Sequence, residues 1–295
     1  MKKISLFCPG KINLSLNILG RRADGYHYID SIMQAIPFGD TLAASARVDS
    51  KVNITFAGEG AKSIGSSNSV QKTVALLKSK FGEFGADIHV QKRLPIAGGL
   101  GGSSANAAGT LVALNRLFGF FSEDAEDLYN SEIIKTASSI GSDTAFLTGA
   151  ILGCAAARVS GVGEIITPLP VNLTLPAIIA KLPNTAVSSA DSYKKFDTLY
   201  PSFFYSPADN SKLASAISDG LSPYSFMHNA LQNSSEALCA DLLKTKSSIA
   251  AAKANHILMS GSGACYIGFF DIAQNAVAAA KKLKAQGFWC ISLST

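Results

Sequence analysis

The sequence predicts an α+β protein built from two lobes. Its 295 residues are enough for about two domains of ordinary size. Segments in which every second residue is apolar, as in strands, are mixed along the chain with segments whose apolar residues recur at helical spacing. Hydrophobic residues make up 47% of the chain and charged residues 16%. A chain this apolar can offset its ordering entropy by burial, so a disordered protein is excluded.

The first part of the chain is predicted to hold three strands and one helix. Apolar and polar residues alternate over residues 12–19, over 52–56 and over 88–90, as they do in strands with one buried face. Asn68 is a plausible N-cap of a helix, because the apolar residues that follow it recur at helical spacing.

A loop rich in glycine and serine, residues 97–104, precedes a second predicted helix, which Gly119 closes. Ser122 and the two acidic residues after it have the character of a further helix start. Apolar sequence that favours β-structure resumes around residues 150–157.

The second half repeats this mixture of elements. The predicted strands cover residues 177–181, 257–259, 264–270 and 288–293, and the predicted helices cover 209–219, 229–244 and 272–286. We place a boundary near residues 153–165, which divides the chain into an N-terminal domain, 1–158, and a C-terminal domain, 159–295.

Composition excludes or disfavours several classes of protein. The chain has no run of about 18 to 20 consecutive apolar residues, so we expect no membrane-spanning helix. Its five cysteines are scattered, without C-x-x-C spacing, so neither a disulfide framework nor a zinc site is indicated and a cytoplasmic location is expected. The net charge of +5 is modest, and basic residues are not interleaved with aromatic ones along one element. An anionic small molecule is therefore favoured over nucleic acid as the ligand.

The glycine-rich loop carries the strongest chemical signal. Four of the five residues 98–102 are glycine, which lets the backbone turn tightly and bring several N–H groups toward one point. Ser103 and Ser104 open the helix that follows, whose N-terminal dipole favours an anion. The pattern is neither G-x-x-x-x-G-K-[ST] nor G-x-G-x-x-G. It predicts a phosphate-binding loop of another kind.

Two charged residues outside this loop are further candidates. Lys11 and Asn13 have the same parity in a predicted strand, so both could face one ligand. Asp143 lies between a predicted helix and an apolar run. Taken singly, Lys11 could be an ordinary exposed lysine and Asp143 a capping or turn residue. A second glycine turn, residues 261–263, could be only a tight turn.

Three separated motifs join these observations. Residues 9–14, 95–108 and 261–264 resemble, in order and spacing, the motifs of the GHMP kinases, the superfamily of galactokinase, homoserine kinase, mevalonate kinase and phosphomevalonate kinase. Residues 20–27 and 39–41 are similar to the signature of one family within it, the 4-diphosphocytidyl-2-C-methyl-D-erythritol kinases of the non-mevalonate route to isoprenoids. The resemblance covers nearly the whole chain.

The resemblance implies a two-lobed GHMP kinase fold, with the active-site cleft between an N-terminal ATP-binding lobe and a C-terminal lobe. The implied reaction is ATP-dependent phosphorylation of the 2-hydroxyl of 4-diphosphocytidyl-2-C-methyl-D-erythritol, and the alternative is another small-molecule GHMP kinase, such as homoserine or mevalonate kinase. ATP and Mg²⁺ are the implied cofactors, with Ser104 as the best loop hydroxyl near a metal held mainly by phosphates and water. We expect a monomer or weak homodimer, with neither nucleic acid nor membrane as a partner.

The resemblance also implies roles for single residues. Lys11 and Asp143 match the catalytic lysine and aspartate, and Asn13 sits near the phosphoryl acceptor. The implied cytosine-binding residues are Tyr26, His27 and, on the other face of the base, Tyr193. The implied ATP phosphate loop consists of Pro95, Ile96, Ala97, Gly98, Gly99, Leu100, Gly101, Gly102, Ser103, Ser104 and Ala105.

This chain departs from the family pattern at two places. Ser103 stands where the family usually has a third glycine, and a serine at this position resembles the pattern of the wider superfamily. The usual Asp-Val-Pro reads Asp143-Thr144-Ala145, so the backbone after the aspartate lacks the constraint of a proline.

Overall fold

The computed structural model describes residues 2–122, 128–170, 174–201 and 209–293. Within these ranges the strands are β1 (Lys3–Arg21), β2 (His27–Arg47), β3 (Val52–Gly58), β4 (Gly85–Lys92), β5 (Ala156–Gly161), β6 (Ile165–Pro168), β7 (Ala177–Lys181), β8 (His228–Asn229), β9 (His256–Met259), β10 (Tyr266–Phe269) and β11 (Trp289–Ser292). The helices are α1 (Ser69–Phe81), α2 (Gly102–Phe118), α3 (Glu132–Ile140), α4 (Thr144–Ile151), α5 (Ser189–Leu199), α6 (Asn210–Ser218), α7 (Gln232–Leu238), α8 (Asp241–Ala251) and α9 (Ala273–Ala285).

The strands form two sheets. The larger sheet has the order β3-β4-β2-β1-β8, with β5 paired to β2 and β6 to β5. The smaller sheet has the order β11-β7-β10-β9. Helix α2 packs on β1 and β2, and helices α8 and α9 pack on the smaller sheet. Helices and sheets are thus combined as the α+β class requires, and this prediction is confirmed.

Several predicted elements are confirmed in detail. The Asn68 side chain accepts a hydrogen bond from the Gln71 N–H at 3.0 Å, so it is the N-cap of α1. Gly119 ends α2 in the left-handed conformation, with φ of 72°. Asp209 caps α6 through the N–H groups of Ser211 and Lys212. Each cap is encoded by one residue and its neighbours, which explains why the sequence predicts them well.

Strand β2 was missed, although it is 21 residues long. It contains Pro37, which argues against a central strand, but Pro37 falls where the register between β1 and β2 shifts. Proline is tolerated at such an irregularity because no regular ladder bond is lost. Gly39 is required nearby, since a Cβ there would lie 2.2 Å from the Cys8 carbonyl oxygen.

Two other predictions were wrong in part. The apolar segment before β5 ends helix α4, which is buried along most of its length and therefore lacks a polar face to reveal its period. The predicted helix over 229–244 is two helices, broken at Cys239, whose backbone is extended. The helix start predicted at Ser122 is not tested, because the acidic pair after it lies outside the described residues. Helix α5 was not predicted at all.

The division into domains 1–158 and 159–295 stays a prediction. Strand β5 runs across this boundary and β6 continues in the same sheet to Pro168. Strand β8, from the second half, pairs with β1 through Ser15 and Leu16. Among the described residues, no helix combines the length and the apolar character needed to cross a membrane.

Candidate active site

A cavity of about 1180 Å³ lies between the two halves of the chain. Its wall includes most of the predicted site residues: Lys11, Asn13, Tyr26, His27, Asp143, Tyr193 and residues 95–104. Ala105 is fully buried behind the wall, where its N–H donates to the Gly101 carbonyl at 2.8 Å. The fold therefore brings together side chains that are far apart in the sequence.

Lys11 and Asp143 form an ion pair in this wall. The Lys11 Nζ lies 3.3 Å from Asp143 Oδ2 and donates to Asn13 Oδ1 at 2.7 Å. Lys11 is only 4% exposed, so the interpretation as an ordinary surface lysine is wrong. Asp143 is at the N-cap position of α4, in a turn closed by the hydrogen bond from the Thr144 N–H to Gly141 O, so the turn interpretation holds, but its side chain caps no helical N–H.

Asn13 is itself held in one orientation. Its Nδ2 donates to Ser31 Oγ at 2.9 Å, and that hydroxyl donates to the Ser15 carbonyl at 2.5 Å. Because the Ser31 hydroxyl donates its one hydrogen to a carbonyl, it can only accept a hydrogen bond from Asn13. The amide oxygen of Asn13 is therefore turned toward Lys11. The two side chains lie on one face of the strand, as their shared parity predicts.

The first turn of α4 constrains the backbone after Asp143. The Thr144 N–H donates to Gly141 O at 2.9 Å, and the Leu147 N–H donates to Asp143 O at 3.1 Å. Ala145, in place of the usual proline, is fully buried. Helix geometry and burial thus supply the constraint that the sequence appeared to lack.

Carbonyl groups of the predicted phosphate loop, residues 95–105, are turned into the protein. Five successive carbonyls, those of residues 96–100, accept hydrogen bonds from groups outside the loop at 2.9–3.1 Å. Their donors, in order, are Lys181 Nζ, Ala264 N, Cys265 N, Ser260 Oγ and Lys11 N. Burial lowers the pKa of Lys181 below its ordinary value.

The N–H groups of this loop remain available. Among the described residues, no backbone N–H of residues 97–104 donates a hydrogen bond. Ala97, Gly99 and Gly101 have φ values of 50°, 74° and 71°, which turn the chain repeatedly. Helix α2 begins directly after this turn, so its N-terminal dipole adds to the attraction for an anion.

The second glycine turn supports the first. Ser260, Ala264 and Cys265 around it supply three of the five donors to the loop carbonyls. The Asn229 side chain holds this turn through the Met259 and Gly261 carbonyls, at 2.7 and 2.8 Å. It is therefore more than a simple tight turn, because it is hydrogen-bonded to three carbonyls of the predicted phosphate loop.

Sequence reasoning missed a buried ion pair beneath the loop. Lys92 Nζ contacts the Asp40 carboxylate and donates to Asn106 Oδ1 at 2.9 Å. Asp40 also accepts from the N–H groups of Arg93 and Leu94, at 2.7 and 2.9 Å. Asp40 and Lys92 are at most 3% exposed. The pair holds the backbone just before the loop and, through Asn106, the helix that follows the loop. The only sequence signal was Asp40's place in the segment 39–41.

Asp40→Ala should lower the free energy of unfolding by about 3–5 kcal/mol, because it leaves the Lys92 ammonium buried without a counter-charge. Urea unfolding followed by circular dichroism measures the change. Asp49→Ala is the control, since Asp49 pairs with Arg47 at the surface and its loss should cost far less. Equal stability of the two variants would contradict a stabilising role for the buried pair.

Three rings gather at another part of the cavity wall. Tyr193, on α5, stacks on His27 with centroids 4.9 Å apart and planes inclined by 26°. Tyr26 is next to His27 in the turn before β2 and is 62% exposed. In this structure Tyr193 lies against His27, while Tyr26 presents an open aromatic face that a planar ligand could cover.

Known proteins resemble this chain over most of its length. Residues 68–158 match the GHMP kinases N terminal domain. A 4-diphosphocytidyl-2-C-methyl-D-erythritol kinase from Thermoanaerobacter pseudethanolicus is 33% identical over 96% of this chain and 93% of its own. One from Shouchella clausii is 32% identical over 91% of this chain and 86% of its own.

Solved structures show the same fold. A crystal structure of 4-(cytidine 5'-diphospho)-2C-methyl-D-erythritol kinase has a TM-score of 0.76 and 27% identity, covering 99% of this chain and 100% of that one. Homoserine kinase from Cytophaga hutchinsonii has a TM-score of 0.66 and 18% identity, covering 99% of this chain and 94% of that one. At that lower identity the likeness shows a shared fold alone.

Proposed function

Since this chain belongs to the 4-diphosphocytidyl-2-C-methyl-D-erythritol kinases, a family of the GHMP kinases, we propose that it transfers the γ-phosphoryl group of ATP to the 2-hydroxyl of 4-diphosphocytidyl-2-C-methyl-D-erythritol. The products are the 2-phosphate and ADP, in the non-mevalonate route to isoprenoid precursors. One observation supports this most: the Lys11–Asp143 pair, the phosphate loop and the three rings line a single cavity.

Asp143 has the role of orienting the acceptor hydroxyl. An ordinary aspartate has a pKa of about 3.9 and an alcohol about 15.7, so full deprotonation before transfer would cost roughly 16 kcal/mol. The proton must therefore leave during or after attack on the γ-phosphoryl group, as expected for a loose transition state. The Asp143 carboxylate accepts that proton as the new P–O bond forms.

Lys11 has an electrostatic role. Its ammonium group is held by Asp143 and Asn13 at 3.3 and 2.7 Å, so little reorganisation is needed when negative charge develops on the acceptor oxygen and the phosphoryl group. The loop N–H groups hold the remaining phosphates. Asn13 keeps Lys11 in place and lies beside the acceptor.

The residues present fit a Mg²⁺ ion that retains mostly phosphate and water ligands. Within the described ranges, no group of three or more His, Cys, Asp or Glu side chains could hold a metal ion. Ser104 lines the cavity in the first turn of α2 and offers a hydroxyl. Mg²⁺ is commonly bound in this way, through few protein groups, and it neutralises the charge of the triphosphate.

Tyr26, His27 and Tyr193 form what we call the base-binding end of the cavity. Tyr26→Ala should raise the KM for the cytidine substrate about tenfold, because it removes an aromatic face from this end. The KM for ATP should change much less. Steady-state kinetics with each substrate varied in turn measures both values. Tyr28→Ala is the matched control, since Tyr28 is also an exposed tyrosine but does not line the cavity. Equal effects on both KM values would contradict the assignment.

The reaction itself is tested with a panel of acceptors. The protein should phosphorylate 4-diphosphocytidyl-2-C-methyl-D-erythritol in the presence of ATP and Mg²⁺, with the product position read by phosphorus NMR. Homoserine and mevalonate represent the alternative GHMP kinases. Phosphorylation of either of these, without phosphorylation of the cytidine compound, would overturn the proposal.

We also propose that the protein acts in the cytoplasm as a monomer or weak homodimer, without a nucleic-acid or membrane partner. The scattered cysteines and the modest net charge of +5 support this. Sedimentation at several protein concentrations tests the assembly state.

A further inference from the structure

We propose that Asp197 is a positioning residue for the base-binding end of the cavity: it holds the His27 ring in the orientation that receives the substrate's base. This inference rests on the proposed function, because it concerns the same substrate. Neither the predicted roles nor the mechanism above uses Asp197.

The main contact is a short hydrogen bond. His27 Nε2 lies 2.6 Å from Asp197 Oδ1. An ionised carboxylate has no hydrogen to donate, so the proton in this bond belongs to Nε2. The His27 side chain is only 7% exposed, so water screens this contact less than it screens a surface pair. Asp197 therefore fixes both the proton position and the tilt of the ring.

Asp197 also contacts a second residue at the end of the β1–β2 hairpin. Arg21 and His27 are direct partners in the β1–β2 ladder, at the end of the hairpin. Arg21 Nη1 lies 3.3 Å from Asp197 Oδ2, so the two carboxylate oxygens serve two neighbouring residues of that hairpin. Because each carboxylate oxygen contacts a different residue, Asp197 holds the hairpin end as well as the ring.

Helix α5 supplies a second contact on the same face. Tyr193 and Asp197 are four residues apart, so they lie on one side of the helix. Tyr193 stacks on the His27 ring while Asp197 bonds its edge. All four side chains, Arg21, His27, Tyr193 and Asp197, line the cavity. Tyr193 and Asp197 thus both hold His27 to α5.

Asp197→Ala should raise the KM for 4-diphosphocytidyl-2-C-methyl-D-erythritol by about tenfold or more, the effect of losing a hydrogen bond to a charged group. The kcat and the KM for ATP should stay within about twofold, a change too small to indicate loss of such a bond. CDP alone, titrated by calorimetry, should bind correspondingly more weakly. Asp197→Asn should recover much of the loss, because its amide oxygen still accepts from Nε2.

Asp191→Ala is the matched control, since Asp191 is an exposed aspartate on the same helix that does not line this cavity. An unchanged KM and CDP affinity in Asp197→Ala would overturn the inference, and so would a loss of ATP binding or kcat of the same size. Long-range ¹H–¹⁵N spectra of the wild-type protein give a test that needs no stable Asp197 variant. They should show His27, assigned with His27→Gln, protonated at Nε2, and a proton on Nδ1 alone would refute the inference.

The two proposals fail differently. Wild-type protein that does not phosphorylate the cytidine compound contradicts the proposed function. Wild-type protein that does so, together with an Asp197→Ala variant of unchanged KM, contradicts only the role of Asp197.

Discussion

Asp143→Ala should lower kcat by about 10² to 10⁴ while leaving the affinity for ATP nearly unchanged. The carboxylate lies 3.3 Å from Lys11 and lines the cavity, but the phosphate loop is held by other groups. Removing it takes away the group that orients the acceptor and receives its proton, and it leaves the loop N–H groups in place. Single-turnover kinetics measures the transfer step, and calorimetry with a non-hydrolysable ATP analogue measures binding.

Two further variants sharpen this test. Asp143→Asn keeps the shape of the side chain but accepts a proton poorly, so it should resemble the alanine variant in kcat. Asp219→Ala removes an exposed aspartate that does not line the cavity and should behave as wild type. A wild-type kcat in Asp143→Ala would remove Asp143 from the mechanism.

Gly99→Ala should weaken ATP binding by about tenfold or more, because backbone strain of this kind costs on the order of 1–3 kcal/mol. Gly99 has φ of 74°, a conformation that residues with a side chain rarely adopt. An added Cβ would also lie 2.0 Å from the Ser260 carbonyl oxygen and 2.9 Å from that of Gly263. Since both obstacles are backbone atoms, the phosphate loop has to move away from the second glycine turn.

Calorimetry with the ATP analogue, together with the KM for ATP, measures this effect. Thermal unfolding shows whether the fold persists. Gly65→Ala is the control for the substitution itself, since an added Cβ at Gly65 meets nothing within 4 Å. Wild-type ATP affinity in Gly99→Ala would contradict the view that this close approach shapes the loop.

The candidate site was predictable where its signal is local. Closely spaced glycines predict a turn whose N–H groups converge. In the described structure the N–H groups of residues 97–104 donate no backbone hydrogen bond. Strand parity placed Lys11 and Asn13 on one face, and they share a hydrogen bond. The role of Asp143 was predicted only through the resemblance to a known family, since nothing around it in the sequence distinguishes a catalytic aspartate from a cap.

Other features could not be predicted because their partners are distant. Asp40 and Lys92 are 52 residues apart, and His27 and Asp197 are 170 apart. Contacts between residues so far apart produce no periodic pattern in the sequence from which they could be predicted. Helix α5 buries only Ser192 and Phe196, so its apolar pattern is weak, and yet it carries Tyr193 and Asp197 to the cavity.

By itself the sequence predicted the α+β class, the glycine-rich turn, the caps of α1 and α2 and the common strand face of Lys11 and Asn13. These depend on side-chain period, glycine geometry and single-residue capping, which act within a few residues. Only the tertiary structure decided that Lys11 is buried beside Asp143, that a second glycine turn holds the first, and that Asp40 and Asp197 support the two ends of the cavity. Those outcomes depend on which strands and helices become neighbours, and that is settled by the packing of the whole chain.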